Sequence, residues 1–214
     1  MRSGSMRSCS PVLIHGESGV GKELVARAIE LGYRGIAITD ECSLAGVVRA
    51  HVAMREHKPG NFRLIIGSEM SCDDGLQLVM LAPSRTAYAQ LSSLISHARR
   101  QADKGHYHLT RQMLEEHDCS ACLVLWVPGQ DMAAGQAEWL ADRFRGRLWI
   151  AVQMQMQGQD QQKLRRLQAL GQRFGIPLCA SGGIMMHRAE RRLLRDTLTA
   201  IRLGRPLTEL GCRY

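Results

Sequence analysis

A glycine-rich loop near the start of the sequence has the residue types and spacing that can enclose phosphate groups. The run Gly16-Glu-Ser-Gly-Val-Gly-Lys22 follows an apolar stretch, Pro11–Ile14, that predicts a strand, and it precedes a predicted helix over Glu23–Leu31. In such a loop, backbone N–H groups surround the phosphates, the helix N-terminus adds positive potential, and the lysine reaches the outer phosphates. The pattern predicts a site for Mg-ATP that is made by Gly16, Ser18, Gly19, Gly21 and Lys22.

Other features of the sequence argue against ATP hydrolysis at this loop. The residue after Lys22 is Glu23, where a Ser or Thr usually helps to hold magnesium. The next acids that follow a predicted strand, Asp40 and Glu41, come only one helix later, which is the wrong strand for the metal-binding acid of an ATPase. Without such an acid or an arginine finger, hydrolysis has little support. We expect the loop to supply a strand, a turn and a helix, and ATP binding stays an alternative.

The seven cysteines predict reduced thiols rather than a disulfide framework, because their number is odd and no secretory signal is expected. Cys119-Ser-Ala-Cys122 is the only close pair in the sequence. His117 lies nearby, but a zinc site normally needs two further ligands at matching spacing. We expect buried, unpaired thiols at the start of a strand.

Short apolar runs alternate with longer amphipathic stretches, a pattern typical of an α/β fold with a largely parallel sheet. Asp73-Asp74-Gly75 predicts a turn between two strands. Further predicted strands cover Gly35–Thr39, Phe62–Ile66, Leu76–Leu81, Ala121–Val127, Arg147–Val152 and Ile176–Ala180, and further predicted helices cover Ser43–Glu56, Ser84–Gln101, Thr110–Glu116, Gly135–Phe144, Asp160–Phe174 and Glu190–Leu203. We expect a single domain over residues 11–214, preceded by a disordered segment over residues 1–10.

The chain carries a surplus of positive charge. Lysine and arginine outnumber aspartate and glutamate by 28 to 20, which gives a net charge of +8. Such a surplus favours a polyanionic neighbour such as DNA, with an ordinary basic surface as an equal alternative. Since aromatic residues make up only 5% of the chain, contact with DNA would be mainly electrostatic. The predicted helix that carries Lys163–Arg173 would present either a solvated face or a DNA-binding face.

Neither a membrane span nor a secretory signal is expected. The apolar runs fall well short of the ~18 residues that suggest a transmembrane helix. The start of the chain, Met1-Arg-Ser-Gly-Ser-Met-Arg-Ser-Cys-Ser10, carries no apolar run. The sequence predicts a cytoplasmic protein.

Several motifs connect the chain to known families. The run Ile36-Ala-Ile-Thr-Asp-Glu-Cys-Ser-Leu-Ala-Gly-Val-Val-Arg-Ala-His51 is highly specific, and Ile65-Ile-Gly-Ser-Glu69 and Asp196-Thr-Leu-Thr-Ala-Ile-Arg-Leu-Gly204 continue the match. Through these motifs, residues 23–212 resemble the N-terminal PHP (polymerase and histidinol phosphatase) region of error-prone, alpha-subunit-like bacterial DNA polymerases. Residues 11–30 separately resemble the Walker A region of activators that work with the nitrogen-type sigma factor.

The polymerase resemblance implies a PHP-like α/β fold, a distorted barrel of mostly parallel strands with helices outside. Active members bind two or three metal ions with histidines and carboxylates at strand ends, and they cleave phosphoesters. The family opens with a histidine motif on its first strand, but Met6–Leu13 stands at that place here and contains no histidine. We expect this first strand to be replaced, with Val12–Ile14 taking its place in the sheet.

Five residues match ligand positions of the family: Asp40, Glu41, His51, Glu69 and His187. A site made by them would hold a divalent ion such as zinc or manganese. Asp40 and Glu41 could equally be the N-cap and first-turn acid of the following helix, a contribution of about 0.5–2 kcal/mol.

Other ligand positions have lost their donors. The family's Val-Glu-Leu-His-like run appears as Val152-Gln-Met-Gln155, and its Gly-Asp-Val-His-Met-His run appears as Gly182-Gly-Ile-Met-Met-His187. An aspartate is thus replaced by Gly183 and a histidine by Met185, and a thioether is a poor ligand for the ions concerned. We expect no bound cofactor and no catalytic residue in this chain.

The resemblance implies that the chain is the PHP module of a lesion-bypass polymerase, with a structural, DNA-associated role. The chain ends at Tyr214, before the catalytic aspartates of the polymerase palm, so we expect a truncated module without nucleotidyl transfer. The implied partners are DNA and other polymerase or SOS-response subunits. The alternatives are a metal-dependent phosphoesterase of the PHP type and an ATP-binding protein.

Overall fold

The structure, a computed structural model, describes residues 12–14, 21–57, 60–129, 134–154 and 158–182, together with residues 190, 193, 196–197, 200–201 and 204–207. The predicted disordered segment over residues 1–10 and much of the helix predicted over Glu190–Leu203 lie outside these residues. None of the described helices has the length and apolar character needed to cross a membrane. In chain order the elements are β1 (Val12–Ile14), α1 (Gly21–Glu30), β2 (Gly35–Ile38), α2 (Ala45–His57), β3 (Arg63–Ser71), β4 (Gln77–Ala82), α3 (Arg85–Arg100), α4 (Arg111–Glu116), β5 (Leu123–Trp126), α5 (Ala134–Arg143), β6 (Leu148–Val152), α6 (Asp160–Phe174) and β7 (Leu178–Ala180).

The strands form one curled, half-barrel sheet in which they follow chain order from β1 to β7. β1, β2 and β3 run parallel to one another, as do β5, β6 and β7. β4 runs antiparallel to both of its neighbours. The predicted α/β architecture with a mostly parallel sheet is therefore confirmed.

β1 occupies the edge of the sheet beside β2. Its residues pair in parallel with that strand, with Val12 opposite Ile36 and Ile14 opposite Ile38. A short apolar run can take this place because the ladder is made by backbone groups. The expectation that Val12–Ile14 fills the first position of the sheet is confirmed.

β3 is longer than its apolar run predicts. The pattern ends the strand at Ile66, whereas β3 continues to Ser71. Antiparallel pairing with β4 holds the extension, with Glu69 opposite Val79, and Gly75 makes the turn between the two strands at a φ of 80°. Glu69 therefore lies inside a strand, and the pleat fixes the direction of its side chain.

The described helices α1–α6 pack on one face of the sheet, and the other face is the interior of the half-barrel. On the outer face, Leu91 of α3 packs in one cluster with Trp126 of β5. α1 and α2 cover the neighbouring part of that face through Val25 and Ala50, around Ile36. The inner face carries a small apolar cluster whose described buried members all come from strands: Ala37, Val79, Leu125 and Ala151.

Candidate functional site at the carboxyl ends of β2 and β3

The chain segment that follows β2 crosses β3 and brings acidic residues to one edge of the sheet. Ser68 organises the crossing, because its hydroxyl donates to the carbonyl of Asp40 (2.9 Å) and accepts from the N–H of Ser43 (3.0 Å). Two backbone hydrogen bonds complete it, from Glu69 N–H to the Asp40 carbonyl (3.2 Å) and from Cys42 N–H to the Glu69 carbonyl (2.7 Å). The carboxyl ends of parallel strands are where α/β folds place their chemistry, so this edge is the candidate site.

The carboxylate of Asp40 is bound to the start of α2. Its Oδ2 accepts a hydrogen bond from the backbone N–H of Gly46 at 2.6 Å, and Asp40 is only 6% exposed. Gly46 makes this approach possible, since a Cβ there would collide with Oδ2 and lie 3.1 Å from Cγ2 of Ile38. N–H groups in the first turn of a helix have no partner within the helix, so the carboxylate satisfies a buried donor and complements the helix dipole. The geometry favours the helix-capping alternative for Asp40.

Asp40 and Glu69 point to opposite faces of the sheet. Asp40 lies on the outer side with Ile38, which packs beneath α1 and α2. Glu69 is directly paired with Val79 of the inner cluster, and paired residues project to the same side. The structure therefore does not bring the side chains of these two predicted metal ligands together.

Glu41 is held by a tyrosine from a distant loop. Its backbone forms an isolated parallel bridge with Glu69, and its Oε1 accepts a hydrogen bond from the Tyr107 hydroxyl (3.1 Å). The same hydroxyl accepts from the N–H of Ser71 (3.0 Å). Burial raises the pKa of Tyr107 to about 12; the charge of Glu41 adds to the rise, and the bond from Ser71 opposes it. The phenol is therefore protonated at neutral pH and donates to the carboxylate.

Arg99 connects the segment that follows β2 to the loop that precedes α4. Its Nε donates to the carbonyl of Cys42 (3.1 Å), and its Nη2 donates to the carbonyl of Glu41 (3.1 Å). Its Nη1 reaches both carbonyls of Gly105–His106, at 3.3 and 3.2 Å. The guanidinium also lies over the ring of Tyr107, 5.4 Å from its centroid. We call the connected residues the strand-end network: Asp40, Glu41, Ser68, Glu69, Arg99 and Tyr107.

No motif in the sequence marks Arg99 or Tyr107 as a site residue. Arg99 lies in the last turn of α3, and Tyr107 lies in the following loop, both far along the chain from the end of β2. The pair Arg99-Arg100 is visible as a basic cluster, but its spacing does not show which arginine turns towards the sheet. The packing of α3 on β3 and β4 decides this.

The two predicted histidine ligands do not contribute to the network in the part of the chain that the structure describes. The side chain of His51 is exposed on α2, whereas Ala50 and Ala53 face the core. His187 lies outside the described residues, as do Gly183 and Met185.

Most of the predicted phosphate loop also lies outside the described residues. Gly16, Ser18 and Gly19 belong to this part, whereas Gly21 and Lys22 form the beginning of α1. The strand and helix on either side of the loop, β1 and α1, are present as expected.

The described residues do not fit a metal cluster. Among them, no group of three or more His, Cys, Asp and Glu side chains is arranged to hold an ion. Asp40 is turned towards α2, Glu41 towards Tyr107, and the residue that follows β6 is Gln153, an amide rather than an acid. A catalytic zinc ion is typically held by three protein ligands, and a multi-metal centre needs more.

Comparison with known families shows which domain family the chain matches. The sequence pattern of the PHP domain matches residues 10–169, which is 160 of the 214 residues. The chain belongs to the PHP domain family. The matched region of this PHP domain begins before β1 and includes the glycine-rich loop, so the match gives no support to a separate phosphate-binding loop.

Relatives of this PHP domain are error-prone DNA polymerases. The enzyme of Methylococcus capsulatus is 52% identical over 190 residues, and that of Dechloromonas aromatica is 49% identical over 194 residues. Both alignments cover 89% of this chain but only 18% and 19% of the respective polymerase. The chain thus spans about a fifth of the length of these curated relatives and is homologous to their N-terminal region. The family resemblance drawn from the motifs is confirmed.

Solved structures share the fold of this PHP domain at low sequence identity. A protein named as a candidate metal-dependent phosphoesterase from Bifidobacterium adolescentis superposes with a TM-score of 0.61 at 15% identity, over 85% of this chain and 88% of its own. An amidohydrolase from Chromobacterium violaceum gives 0.56 at 18% identity, over 83% and 87%. These similarities establish a PHP-like barrel with outer helices, as expected from the resemblance.

The five thiols that the structure describes are free, and four of them are buried. Cys119 and Cys122 precede β5 and are fully buried without a disulfide, as predicted, and Cys42 and Cys72 are buried too. Burial raises the pKa of Cys42 to about 11, of Cys72 to about 12 and of Cys122 to about 11. Such thiols are poor nucleophiles at neutral pH, which argues against a catalytic role for Cys119 and Cys122.

We expect the stability of the PHP domain to fall as the pH rises above about 9. Thiols ordinarily titrate near 9.0, but the folded chain holds the protons of Cys42 and Cys72 up to about 11 and 12. The contribution is present below pH 9 and is lost as the pH rises through the folded-state values, because the unfolded chain then binds fewer protons. Urea unfolding at a series of pH values measures this, with a loss of at least about 1 kcal/mol expected by pH 11.

The variant Cys42→Ala/Cys72→Ala is the control for this titration. It should show a shallower decline than the parent chain over the same pH range, because lysine side chains titrate in both. A parent chain whose stability is unchanged or higher at pH 11 would contradict the expectation.

Proposed function

We propose that this PHP domain serves an error-prone DNA polymerase as a structural, DNA-associated module and does not itself hydrolyse phosphoesters. The observation that carries the proposal is the position of Asp40. Its buried carboxylate binds the N–H of Gly46 on the outer side of the sheet, whereas Glu69 lies on the inner side. A carboxylate that satisfies a buried N–H contributes to stability, and this placement separates it from the acid with which it would share a metal ion.

The relatives support the polymerase context of the proposal. They are named error-prone DNA polymerases, and the aligned part is a small fraction of their length. In the whole protein, nucleotidyl transfer would belong to the remaining part, and the PHP module would support it. We propose DNA and other polymerase or SOS-response subunits as partners, in the cytoplasm; the net charge of +8 is consistent with a polyanionic partner.

A metal-dependent phosphoesterase is the rival candidate. One observation favours it: the backbone bridge between Glu41 and Glu69 sets two glutamates side by side at the strand ends. Two carboxylates supply fewer donors than a catalytic ion normally receives from protein, and one of them accepts a hydrogen bond from Tyr107. The strand-end network is therefore better suited to holding loops than to activating water.

Metal analysis of the purified chain tests the proposal. After equilibration with zinc or manganese and removal of free ions, we expect inductively coupled plasma mass spectrometry to find well below one ion per chain. We also expect no hydrolysis of bis-p-nitrophenyl phosphate above the rate of buffer with the same ion.

The matched variants are Glu69→Gln and, on the exposed side of α5, Glu138→Gln. Neither should change the metal content. One or more ions per chain that Glu69→Gln loses and Glu138→Gln keeps would establish the rival function and reject the proposal.

A further inference from the structure

α6 has an outer face made almost entirely of arginine and glutamine. Leu167 and Gly171 are buried against the sheet, and the sole acidic residue of the helix is Asp160, in its first turn. The exposed residues of α6 are Gln161, Gln162, Arg165, Arg166, Gln168, Ala169, Gln172 and Arg173.

Close packing against the chain before β7 fixes the orientation of this face. A Cβ on Gly171 would lie 2.6 Å from the carbonyl oxygen of Ile176 and 2.6 Å from Cδ1 of Leu178. The N–H of Ile176 donates to the carbonyl of Gly171 (2.9 Å), and Gly175 ends the helix in the left-handed conformation. The helix has little room to rotate, so its arginine side stays outward.

The arginines on this face form no ion pairs in the part of the chain that the structure describes. Within the described residues, no Asp or Glu forms an ion pair with Arg165, Arg166 or Arg173. In contrast, Arg145 just after α5 is paired with Asp142 at 2.9 Å. Among the described residues, these three arginines of α6 therefore have no carboxylate partner, and their positive charges attract anions.

α3 shows that the absence of acids from a helix does not by itself concentrate positive charge on one face. Arg99 of α3 is committed to four backbone carbonyls, and Arg85 and Arg100 stand at its opposite ends. Their separation along the helix axis is roughly 22 Å, whereas Arg165–Arg173 spans only about 12 Å, or three to four nucleotide steps of one strand of duplex DNA. The arginines of α6 are thus concentrated where those of α3 are dispersed.

We infer that the outer face of α6 binds the phosphate backbone of DNA, which rests on the DNA-associated role proposed above. Guanidinium groups pair with phosphate through two parallel hydrogen bonds, and glutamine amides add neutral donors. The face carries no aromatic residue on which bases could stack, so the contact is electrostatic and independent of sequence.

Fluorescence anisotropy with the whole 214-residue chain and a fluorescein-labelled DNA duplex tests the inference. The variant Arg165→Gln/Arg166→Gln should weaken binding by about tenfold or more at low salt. The negative slope of log K against log salt should become less steep by about 1.8, since each duplex phosphate contact contributes about 0.9. Glutamine is chosen because it already occurs on this face and is a good helix former. The matched control, Arg85→Gln/Arg100→Gln, removes the same charge from α3 and should stay within about twofold of the parent chain.

The single variants Arg165→Gln and Arg166→Gln keep the test decisive if the double variant unfolds, since each should show part of the loss with an unchanged circular dichroism spectrum. Equal losses in the α6 and α3 variants, or no loss in either, would overturn the inference. So would a parent chain that shows no salt-dependent binding. That last result would also reject the DNA-associated role proposed above, whereas equal losses in the α6 and α3 variants, or no loss in either, would reject only the site on α6. None of these results changes the metal analysis of the strand-end acids.

Discussion

Replacing Arg99 with alanine should lower the free energy of unfolding by about 2–4 kcal/mol, because hydrogen bonds from a charged group contribute about 1.5–3 kcal/mol each and are weakened here by partial exposure. The side chain donates to the carbonyls of Glu41, Cys42 and Gly105–His106, so its loss leaves two loops without their shared donor. Cys42 adds to the effect, since its φ of 42° is a strained conformation for a residue other than glycine.

Chemical denaturation measures the free energy of unfolding of Arg99→Ala and of a variant at the adjacent residue, Arg100. Arg100→Ala removes the same charge from an exposed position and should change the stability by no more than about 0.5 kcal/mol. Arg99→Lys should recover less than half of the loss, because an ammonium group on a flexible stem does not reproduce the forked donor geometry. Equal stabilities of Arg99→Ala and Arg100→Ala would show that the hydrogen bonds of Arg99 do not support the fold.

Replacing Asp40 should separate helix capping from metal binding. Asp40→Ala leaves the buried N–H of Gly46 without its acceptor and should cost about 2–3 kcal/mol, the sum of a lost cap and an unsatisfied buried donor. Asp40→Asn keeps an oxygen that can accept from the same N–H, and asparagine is as good a cap as aspartate. The free energy of unfolding of Asp40→Asn should therefore lie within about 1 kcal/mol of that of the parent chain.

The ratio of these two losses is the informative quantity. A metal ligand depends on the negative charge, so a site that used Asp40 in that way would be damaged by asparagine nearly as much as by alanine. Urea unfolding of both variants with excess manganese, repeated with EDTA, gives the comparison with and without bound ions. Equal, large losses in Asp40→Asn and Asp40→Ala would contradict the capping role.

The order of the elements could be predicted from the sequence, because it depends on local patterns. Alternating apolar runs and amphipathic stretches located the strands and helices, and Gly75 marked the turn between β3 and β4. The end of β3 could not be predicted, since Ser68 and Glu69 are polar and are held in the strand by pairing with β4. The strand boundary at this point is a tertiary effect.

The candidate site was harder to predict than the fold. Motif matching located Asp40, Glu41 and Glu69 at one edge of the sheet, but it treated all three as neighbours. The pleat of β3 and the first turn of α2 then direct Asp40 and Glu69 to opposite faces. Arg99 and Tyr107 reach the same edge only through the packing of α3 and its loop, which no local pattern encodes.

The most direct test asks whether the carboxyl ends of β2 and β3 are stabilised without a bound metal ion. It measures the free energy of unfolding with EDTA and then with increasing manganese. We expect the same value in both conditions, for the parent chain and for Asp40→Asn. A folded state that binds the ion would instead gain about 2.7 kcal/mol at a concentration one hundred times the Kd. A gain of that kind in the parent chain that Asp40→Asn abolishes would contradict this account.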